Sequence, residues 1–510
     1  MAFRLGEDQL TCQELIWQTQ TASSLNLEVQ AATWQRLQHF RQIIDQALAS
    51  DGTHYGINTG FGYLSDVKID RDKLHHLQLN LIRSHACGVG ELMDPDLVRS
   101  LLMVRAHTFF LGHTGISEAC VKLIMAFLEN DILPVIPSQG SVGASGDLAP
   151  LAHLALALIG EGEVWFQGQR RPSAEVLTKC GLKAHHLAPK EGLSLINGTH
   201  FMTTIAAKAV VEARALLGAA DVMLCLSLDA IRGTTKAFDE KIHAVRPHPG
   251  QLQVATNVRN LFHETDDILD SHKDCNKVQD PYSFRCGPQV HGAARDTAAF
   301  VEQTINRELN SVTDNPLCFS DGSILSGGNF HGEPVAMVMD YLAIAMSEIG
   351  NISERRIEKI TNPVMSGLPP FVARDSGLSS GFMIPHVVAA ALASENKIFC
   401  HPASVDSIPT SADKEDHVSM GPIAAIKARR VIRNTAKILA VEALASCQGL
   451  DLLKPLVPNK AIKAVYDAIR QISPSMDEDR SLSSDIEKVA DWILADGVRT
   501  CLRDTGFVLG

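Results

Sequence analysis

The sequence predicts an all-α fold: an elongated bundle of long buried helices with one small β-hairpin and irregular glycine-rich loops. The stretch 198–232 is rich in alanine and leucine on all sides, which is typical of a helix buried within a bundle. Further long apolar stretches begin at a proline and stop at a glycine or a proline, as helices often do. Only residues 163–168 carry a convincing strand pattern, so a sheet-based domain is not expected.

The N-terminal region is predicted to alternate helices with glycine-rich loops. Residues 8–50 are predicted to form two helices, the second from Thr21 to Ala49, because apolar residues recur there at helical spacing. Residues 51–62 contain four glycines and predict an irregular loop that carries Tyr55. Further helices are expected at 72–83, 96–112 and 116–130, and the glycines near His85 end the first of these.

The rest of the chain is predicted to be mainly helical. Leu148–Ile159 is almost wholly apolar and predicts a buried helix, and Glu163–Phe166 followed by Gly168 predicts the hairpin. Long helices are expected at 198–232, Pro334–Gly350, Pro385–His401 and Pro422–Gln448, with Gly350 and Gly449 just after a last turn. The loop 363–379, which is rich in proline and glycine, is the best candidate for a mobile segment.

The domain prediction is one domain over residues 1–510, because no internal repeat, low-complexity tract or linker is evident. Within it, residues 1–110 form an N-terminal helical part with the Tyr55 and His85 loops. Residues 111–510 form the central helical bundle and the C-terminal helices.

Composition and charge narrow the classes of function. The net charge is −12 and no basic run occurs, so nucleic acid is not an expected partner. The longest apolar run, near Leu148–Ile159, is too short for a membrane span, and the N-terminus lacks a signal-peptide pattern. Eleven unpatterned cysteines fit reduced thiols, and zinc-type spacing is missing. We therefore expect a cytoplasmic protein without a membrane contact or a bound metal.

A small loop stands between two stiff elements at Gly140–Pro150, with Ala144-Ser145-Gly146 at its centre. Asp147 is the predicted N-cap of the following helix, and the helix start provides partial positive charge. The loop does not fit Gly-x-Ser-x-Gly, the dinucleotide fingerprint or a P-loop. From these residues alone, a flexible loop before a core helix and a reactive site remain alternatives.

Five junctions between the long helices are dense in polar residues, although a buried bundle favours apolar junctions. Taken singly, caps, turns and salt bridges explain most such clusters. The junctions are Leu195–His200, Lys277–Cys286, Ser311–Leu317, Gly327–Pro334 and Lys414–Met420.

The tripeptide and these junctions, in their order from Tyr55 to Met420, resemble the aromatic amino acid ammonia-lyase family. That family includes histidine-specific and phenylalanine- or tyrosine-specific branches. The resemblance implies a fumarase/aspartase-like helical fold and a homotetramer with active sites shared between subunits. It also implies that Ala144, Ser145 and Gly146 cyclise and lose water to form 4-methylidene-imidazole-5-one (MIO). This electrophile is formed by the chain itself, so no external cofactor is expected.

The resemblance also implies a role for each site residue. Tyr55 is the base that removes the β-proton, and Tyr282 positions the amine or assists MIO formation. Arg285 binds the substrate carboxylate, since its guanidinium offers a bidentate fork. Asn197 and Gln279 hydrogen-bond the substrate and the region of the MIO carbonyl. Phe330 packs against the substrate ring, while Asp416 and His417 are interpreted as structural.

Ser84-His85 resembles the histidine-specific branch, where the other branch has Phe-Leu or His-Leu. His85 and Glu415 supply an imidazole and a carboxylate, which a buried substrate imidazole needs and a phenyl ring does not. The sequence departs from the branch at Asp413-Lys414, where Asn-Gln is usual, and at His200, where Gln is usual. Both departures add a charged or titratable group near the predicted site.

The implied reaction is the deamination of L-histidine to trans-urocanate and ammonia, the first step of histidine degradation. One alternative is a phenylalanine or tyrosine ammonia-lyase or an aminomutase of the same family, since these enzymes share the electrophile. Another alternative, from a different class, is a catalytically inactive helical oligomer. The intact tripeptide, together with Tyr55 and Tyr282, argues against an inactive protein.

Overall fold

Helices dominate the chain in a computed structural model that describes residues 2–50, 52–60, 67–264, 267–275 and 277–510. The helices are α1 (Cys12–Gln18), α2 (Ala31–Ala49), α3 (Leu74–His85), α4 (Pro95–Leu111), α5 (Glu118–Glu129), α6 (Ala149–Leu158), α7 (Ser173–Lys179), α8 (Glu191–Ile196), α9 (His200–Ala230), α10 (Glu240–Ala244), α11 (Pro249–Leu261), α12 (Asp267–Asp270), α13 (Tyr282–Arg285), α14 (Gly287–Glu308), α15 (Glu333–Thr361), α16 (Pro363–Ser366), α17 (Met383–Phe399), α18 (Gly421–Leu452), α19 (Lys460–Ile472), α20 (Ser483–Leu494) and α21 (Gly497–Arg503). The predicted helical class is therefore confirmed.

The strands are short and local. They are β1 (Phe3–Arg4), β2 (Leu27–Glu28), β3 (Val89–Leu92), β4 (Leu133–Pro134), β5 (Pro137–Gln139), β6 (Glu163–Phe166), β7 (Gln169–Pro172), β8 (Leu317–Cys318) and β9 (Ile324–Leu325). The predicted hairpin is β6–β7, with Phe166 opposite Gln169, and β4 adds a third antiparallel strand to it. β1 pairs with β2 in parallel, while β3–β5 and β8–β9 are antiparallel pairs.

The chain folds into two compact units, each assembled from three separate segments. Unit 1 comprises Met1–Lys208, Glu302–Met339 and Pro402–Ile426. Unit 2 comprises Ala209–Val301, Asp340–His401 and Lys427–Gly510. The single domain over 1–510, with parts that meet near residue 110, stays a prediction.

A buried ion pair ties together three long helices within unit 2. Arg356 of α15 and Glu442 of α18 are both fully buried, with Arg356 Nη2 2.9 Å from Glu442 Oε2. The carboxylate also accepts the hydroxyls of Ser227 on α9, at 2.6 Å, and Ser353 on α15, at 2.5 Å. Because the loss of one partner leaves a buried charge unpaired, at a cost of about 3–5 kcal/mol, this network holds the helices in one register.

Two glycines predicted to terminate helices lie inside them. α15 continues through Gly350 to Thr361, and α18 continues through Gly449 to Leu452. A Cβ at Gly350 would lie 3.1 Å from Ile438 Cδ1, and one at Gly449 would lie 3.1 Å from the Cβ of Ala230. Both glycines therefore allow close helix approach within unit 2, and the prediction that they end helices is wrong.

The predicted second helix also begins later than expected. A 3₁₀ turn at Ala22–Ser24 and strand β2 precede α2, which starts at Ala31 rather than Thr21. The apolar pattern between Thr21 and Gln30 does not distinguish a helix from a short strand. The strand β2 forms because it pairs in parallel with β1, and that partner lies far from this stretch in the sequence.

Within the described residues, one helix passes a test for a membrane span by length and composition alone. It is α15, and 72% of its most apolar window is buried inside the protein, as in a core helix. All eleven cysteines are free thiols.

Candidate active site

A cavity of about 920 Å³ lies in unit 1 and has Ala144 and Ser145 of the tripeptide in its wall. It is lined by Thr53, Tyr55, Thr59, Leu81, His85, Ala144, Ser145, Leu148, Leu193, Ile196, Asn197, Asn315, Ser326, Gly327, Gly328, Phe330, His331, Ser411, Lys414, Glu415, Asp416 and His417. Six residues predicted for the site therefore share one cavity with Ala144: Tyr55, His85, Ser145, Asn197, Phe330 and Glu415. Their individual roles stay predictions.

The tripeptide is clamped to the loop before α9 through its backbone. Gly146 and Gly198 form a parallel bridge, in which Asp147 N donates to Gly198 O at 2.8 Å and Gly198 N donates to Ser145 O at 3.3 Å. Gly146 has φ +75°, and a Cβ there would lie 2.1 Å from Gly198 O. Only glycine fits this position, because any side chain would break the bridge and strain the backbone.

Asp147 strengthens the clamp by capping a different helix from the predicted one. Its carboxylate accepts the backbone N–H groups of Phe201, at 2.6 Å, and Met202, at 3.2 Å, in the first turn of α9. Leu148, with φ +49°, is the N-cap of α6, so the prediction that Asp147 caps this helix is wrong. Burial raises the pKa of Asp147 to about 8, although the two amides and Arg105 favour the ionised form.

The other side of the tripeptide loop packs on the segment that leads into α18. Met420 N donates to Val142 O at 2.9 Å, and Ser419 Oγ donates to Gly143 O at 3.2 Å. Ala144, Val418 and Met420 form a buried apolar cluster. The loop is thus fixed on both sides, which leaves the Ser145 side chain directed at the cavity.

Ser145 contacts an acid within the cavity. Its hydroxyl donates to Glu415 Oε1 at 3.1 Å, and the Thr410 hydroxyl donates to Glu415 Oε2 at 2.7 Å. Each oxygen of Glu415 therefore accepts a hydroxyl hydrogen. A carboxylate adjacent to the predicted electrophile can accept a hydrogen bond or a proton from a bound substrate.

The His85 imidazole is oriented by its own helix. Nδ1 lies 2.8 Å from Leu81 O, one turn earlier in α3, and 3.1 Å from Ser84 Oγ. A carbonyl can only accept, so Nδ1 of the neutral ring carries the hydrogen and Nε2 is left as an acceptor. This arrangement can accept an N–H group from a ligand in the cavity.

Tyr55 and Phe330 line the same cavity from two loops. Of the predicted glycine-rich loop 51–62, Asp51, Phe61 and Gly62 lie outside the described residues. Tyr55 is partly buried in the described part, and so is Phe330 in the loop before α15.

Asn197 follows the last residue of α8 and lines the cavity. Its side-chain amide donates to Asp314 Oδ1 at 3.2 Å and to Asn315 O at 3.1 Å, while Lys190 Nζ pairs with Asp314 Oδ2 at 2.6 Å. Both N–H groups of Asn197 are used in these contacts. A predicted hydrogen bond that Asn197 donates to the substrate or to the MIO carbonyl would require one of these contacts to be exchanged.

Arg105 and His200 are hydrogen-bonded to each other next to Asn197. Arg105, which is buried, donates to Asn197 O at 3.2 Å, to Ser194 O and to His200 Nδ1 at 2.7 Å. His200 Nε2 lies 3.0 Å from Thr108 Oγ1. Burial and the Arg105 cation lower the pKa of His200 well below its usual range, so the imidazole is neutral. The charged or titratable group expected at this position is thus His200 in its uncharged form.

Three predicted site residues belong to unit 2 and are not among the residues that line the cavity. They are Gln279, Tyr282 and Arg285. The Tyr282 side chain is 71% exposed, and Arg285 Cζ lies 4.4 Å from its ring centroid. Their predicted contacts with substrate stay predictions.

Several cavity residues were not assigned a site role from the sequence. Asp416 and His417, interpreted as structural, line the cavity, as do Lys414 and His331. His331 Nε2 lies 3.2 Å from His417 O. These residues lie in the polar clusters Gly327–Pro334 and Lys414–Met420, which the sequence does reveal. The sequence of a cluster does not show whether its side chains line a cavity or only form a turn.

One group within the described residues has ligand atoms close enough to hold a metal ion: Cys120, His185 and Glu191. Glu191 already accepts His185 Nε2 at 2.7 Å, Ala188 N at 2.6 Å and Ser117 N at 3.0 Å. Burial raises the pKa of the Cys120 thiol well above its usual range, which disfavours the thiolate that a metal binds. The group serves to fix the loop before α8.

The tripeptide loop fits the prosthetic group that the resemblance implies. The cradle around Gly146 excludes any side chain, Ala144 is only 5% exposed, and Ser145 is the member of the tripeptide with a hydroxyl at the cavity. Cyclisation needs small residues that let the backbone fold onto itself, and each of these positions meets that requirement.

The described helices and the cavity define a helical lyase scaffold with a clamped Ala-Ser-Gly loop. The profile of the family "Aromatic amino acid lyase" matches residues 10–471. A histidine ammonia-lyase from Sorangium cellulosum (strain So ce56) is 52% identical over 446 residues, which is 86% of this chain and 87% of the relative. The chain belongs to the aromatic amino acid lyase family, and it is an ammonia-lyase-type enzyme.

Solved structures agree with this membership. The crystal structure of histidine ammonia-lyase from Trypanosoma cruzi is 42% identical, with a TM-score of 0.90, and the match covers 99% of this chain and 95% of that one. Tyrosine aminomutase from Streptomyces globisporus is 36% identical, with a TM-score of 0.94 and complete coverage of both chains.

Asp147→Asn is expected to destabilise the protein, because a carboxamide has one acceptor oxygen for two buried amides, and an unmet amide costs about 1–3 kcal/mol. With a pKa of about 8, the folded state keeps a proton that an unfolded aspartate, with a pKa of about 3.9, has released. The contribution of Asp147 to the free energy of unfolding therefore falls as pH rises between about 4 and 8. Asp147→Asn lacks this pH-dependent contribution.

The measurement is the melting temperature of both proteins at several pH values, with the exposed Asp321→Asn as a control. The difference in melting temperature between the unmutated protein and Asp147→Asn should narrow as pH rises. A difference that stays constant or widens would contradict the buried carboxyl.

Proposed function

We propose that this enzyme deaminates L-histidine to trans-urocanate and ammonia without oxidation. The observation that carries the proposal is the meeting of the Ser145 hydroxyl, the Glu415 carboxylate and the His85 imidazole in one cavity. Relatives named histidine ammonia-lyase, one of them 52% identical to this chain, support the same substrate. The reaction places the enzyme in histidine catabolism.

The reaction requires an electrophile, which we propose forms from Ala144, Ser145 and Gly146. Gly146 N bonds to the Ala144 carbonyl carbon, and the carbonyl oxygen leaves as water with the hydrogens of Gly146 N and Ser145 N. A second water takes the Ser145 hydroxyl and the Ser145 Cα hydrogen. Once formed, this MIO group would supply an electrophilic methylene at the Ser145 position, which would make the α-amino group of the substrate a better leaving group. No external cofactor is needed.

Glu415 and His85 distinguish an imidazole from a phenyl ring. A substrate imidazole buried without partners would cost about 1–3 kcal/mol for each unmet group. His85 Nε2 can accept the substrate N–H, because Nδ1 is engaged with Leu81 O. Glu415 Oε1, which accepts the Ser145 hydroxyl before that group is lost as water, can accept the other ring nitrogen when it is protonated.

Tyr55 is the proposed base for the β-proton, and Phe330 is proposed to pack on the substrate ring. Both line the cavity wall beside Ser145 and Glu415. Asn197 is proposed to orient the substrate or the MIO carbonyl region, at the cost of its present bonds to Asp314 and Asn315.

A substrate panel tests the proposed reaction. L-Histidine, L-phenylalanine and L-tyrosine are supplied in turn, and urocanate, cinnamate and coumarate are followed by their absorbance. Histidine should be the best substrate, with urocanate as product. If phenylalanine or tyrosine is preferred, or if a β-amino acid accumulates, the phenylalanine/tyrosine lyase or aminomutase alternative replaces the proposal.

Glu415→Gln should reduce kcat/KM for histidine by roughly 10²-fold, because a charge-assisted hydrogen bond contributes about 1.5–3 kcal/mol. Any residual turnover of phenylalanine should fall far less. The matched control is Asp416→Asn, which removes the neighbouring carboxylate in the same segment. An equal loss for both substrates, or an equal effect of the control, would contradict the role of Glu415.

We propose a homotetramer with shared active sites, in which another subunit contributes Gln279, Tyr282 and Arg285 to each cavity. These residues lie in unit 2, and Tyr282 is largely exposed. The same unit exposes large apolar side chains, which support the proposed association: Tyr341 and Ile344 on α15, and Met383, Ile384 and Val387 on α17. In the proposed assembly, Arg285 of another subunit binds the substrate carboxylate, Gln279 hydrogen-bonds the substrate, and Tyr282 positions the amine. The free thiols agree with a cytoplasmic location.

Complementation between inactive variants tests shared sites. Ser145→Ala and Arg285→Leu chains should each be inactive as homotetramers. Mixed tetramers made by coexpression should recover roughly a quarter of normal activity, because random mixing leaves both residues intact in that fraction of shared sites. Ser145→Ala mixed with Glu415→Gln is the control, since both changes lie in the cavity of one subunit, and its activity should not exceed the residual activity of Glu415→Gln alone. No recovery in the first mixture would contradict shared sites.

A further inference from the structure

Glu415 stands at the end of a six-residue turn, Thr410–Glu415, whose two ends pair with each other. Thr410 N donates to Glu415 O at 3.0 Å, and Glu415 N donates to Thr410 O at 3.3 Å. Between them, Ser411, Ala412 and Asp413 all have left-handed backbone, with φ of +52°, +52° and +65°. Three consecutive residues with a Cβ rarely adopt this conformation, because the Cβ crowds the following carbonyl.

The left-handed run is maintained by the contacts at its ends. Lys414 N donates to Ser411 O at 3.2 Å, which closes the turn from inside. Ser411, Lys414 and Glu415 line the cavity, so the turn forms part of its wall. Strained backbone persists only where surrounding contacts over-determine it, and the pairing of Thr410 with Glu415 provides those contacts.

The Thr410 side chain adds a hydrogen bond to the Glu415 side chain, independent of the backbone pairing of these two residues. Its hydroxyl donates to Glu415 Oε2 at 2.7 Å, while Glu415 Oε1 faces the Ser145 hydroxyl at 3.1 Å. A glutamate has three side-chain torsions, and a hydrogen bond to one oxygen fixes where the other points. The hydroxyl of Thr410 thereby selects the orientation in which Oε1 faces the reactive loop.

We propose that Thr410 is a positioning residue that holds the Glu415 carboxylate in its working orientation through the Oγ1–Oε2 hydrogen bond. The proposal rests on the proposed function, in which Glu415 meets the substrate imidazole. Thr410 contacts no reacting atom itself. Its contribution is to reduce the number of carboxylate orientations that the substrate must select on binding.

Thr410→Val tests the proposal, because valine keeps the shape and β-branching of threonine and removes only the hydroxyl. Thr410→Val should lower kcat/KM for histidine about tenfold, and Thr410→Ser should restore most of it, since serine keeps the donor. The melting temperatures of both variants, measured alongside, show whether folding is affected.

A double-mutant cycle separates positioning from a general structural effect. In the Glu415→Gln background, Thr410→Val should have little further effect on kcat/KM, because the carboxylate that it positions is gone. An undiminished tenfold loss in that background, or the same loss in Thr410→Ser, would overturn the proposal. The substrate of the unmutated enzyme is determined before any variant is made. If that substrate is phenylalanine rather than histidine, the proposed function is wrong, independently of the role of Thr410.

Discussion

The site depends on one contact, the clamp between Gly146 and Gly198. Two backbone hydrogen bonds join these loops, and the Asp147 carboxylate extends the clamp into the first turn of α9. The helix start offers unpaired N–H groups and partial positive charge, so a buried carboxyl there meets two donors at once. A long core helix thus serves as the fixed support for a loop that must keep one conformation.

The rigid clamp fixes Ser145 relative to the acidic side chain that it contacts in the cavity. Ser145 lies between the clamp and Glu415, and Glu415 lies on a left-handed turn held by Thr410. Arg105 donates hydrogen bonds to the carbonyls of Ser194 and Asn197, and Asn197 lines the cavity. Buried polar groups are favourable only when they are paired, and here the pairing partners also set the positions of the side chains at the cavity.

The helical class could be predicted because long stretches without a polar face have few other stable arrangements. Helix ends were harder to predict. Gly350 and Gly449 look like terminators in sequence, yet each lies in a helix interior where a neighbouring side chain comes within 3.1 Å of a Cβ. A glycine that ends a helix and a glycine that admits a neighbour are identical in a single sequence, and tertiary packing decides between them.

In the candidate site, too, some features could be predicted from the sequence, and others depend on tertiary contacts. Ser145, His85 and Glu415 were found by resemblance, and the fold brings them to one cavity although 330 residues separate His85 from Glu415. The cap by Asp147 and the pairing of His200 with Arg105 were missed, since both partners are distant in sequence. Local rules assign a capping residue to its own helix, and no local rule indicates a cap from another segment.

The intact mass of the purified enzyme tests the central claim, that the clamped tripeptide is converted into an electrophile. The mass should be lower than that of the sequence by two water molecules for each chain, with a near-ultraviolet absorbance that Ser145→Ala lacks. Ser141→Ala, a serine in the same loop, should retain both signals. An unmodified mass in fully active enzyme would contradict the account.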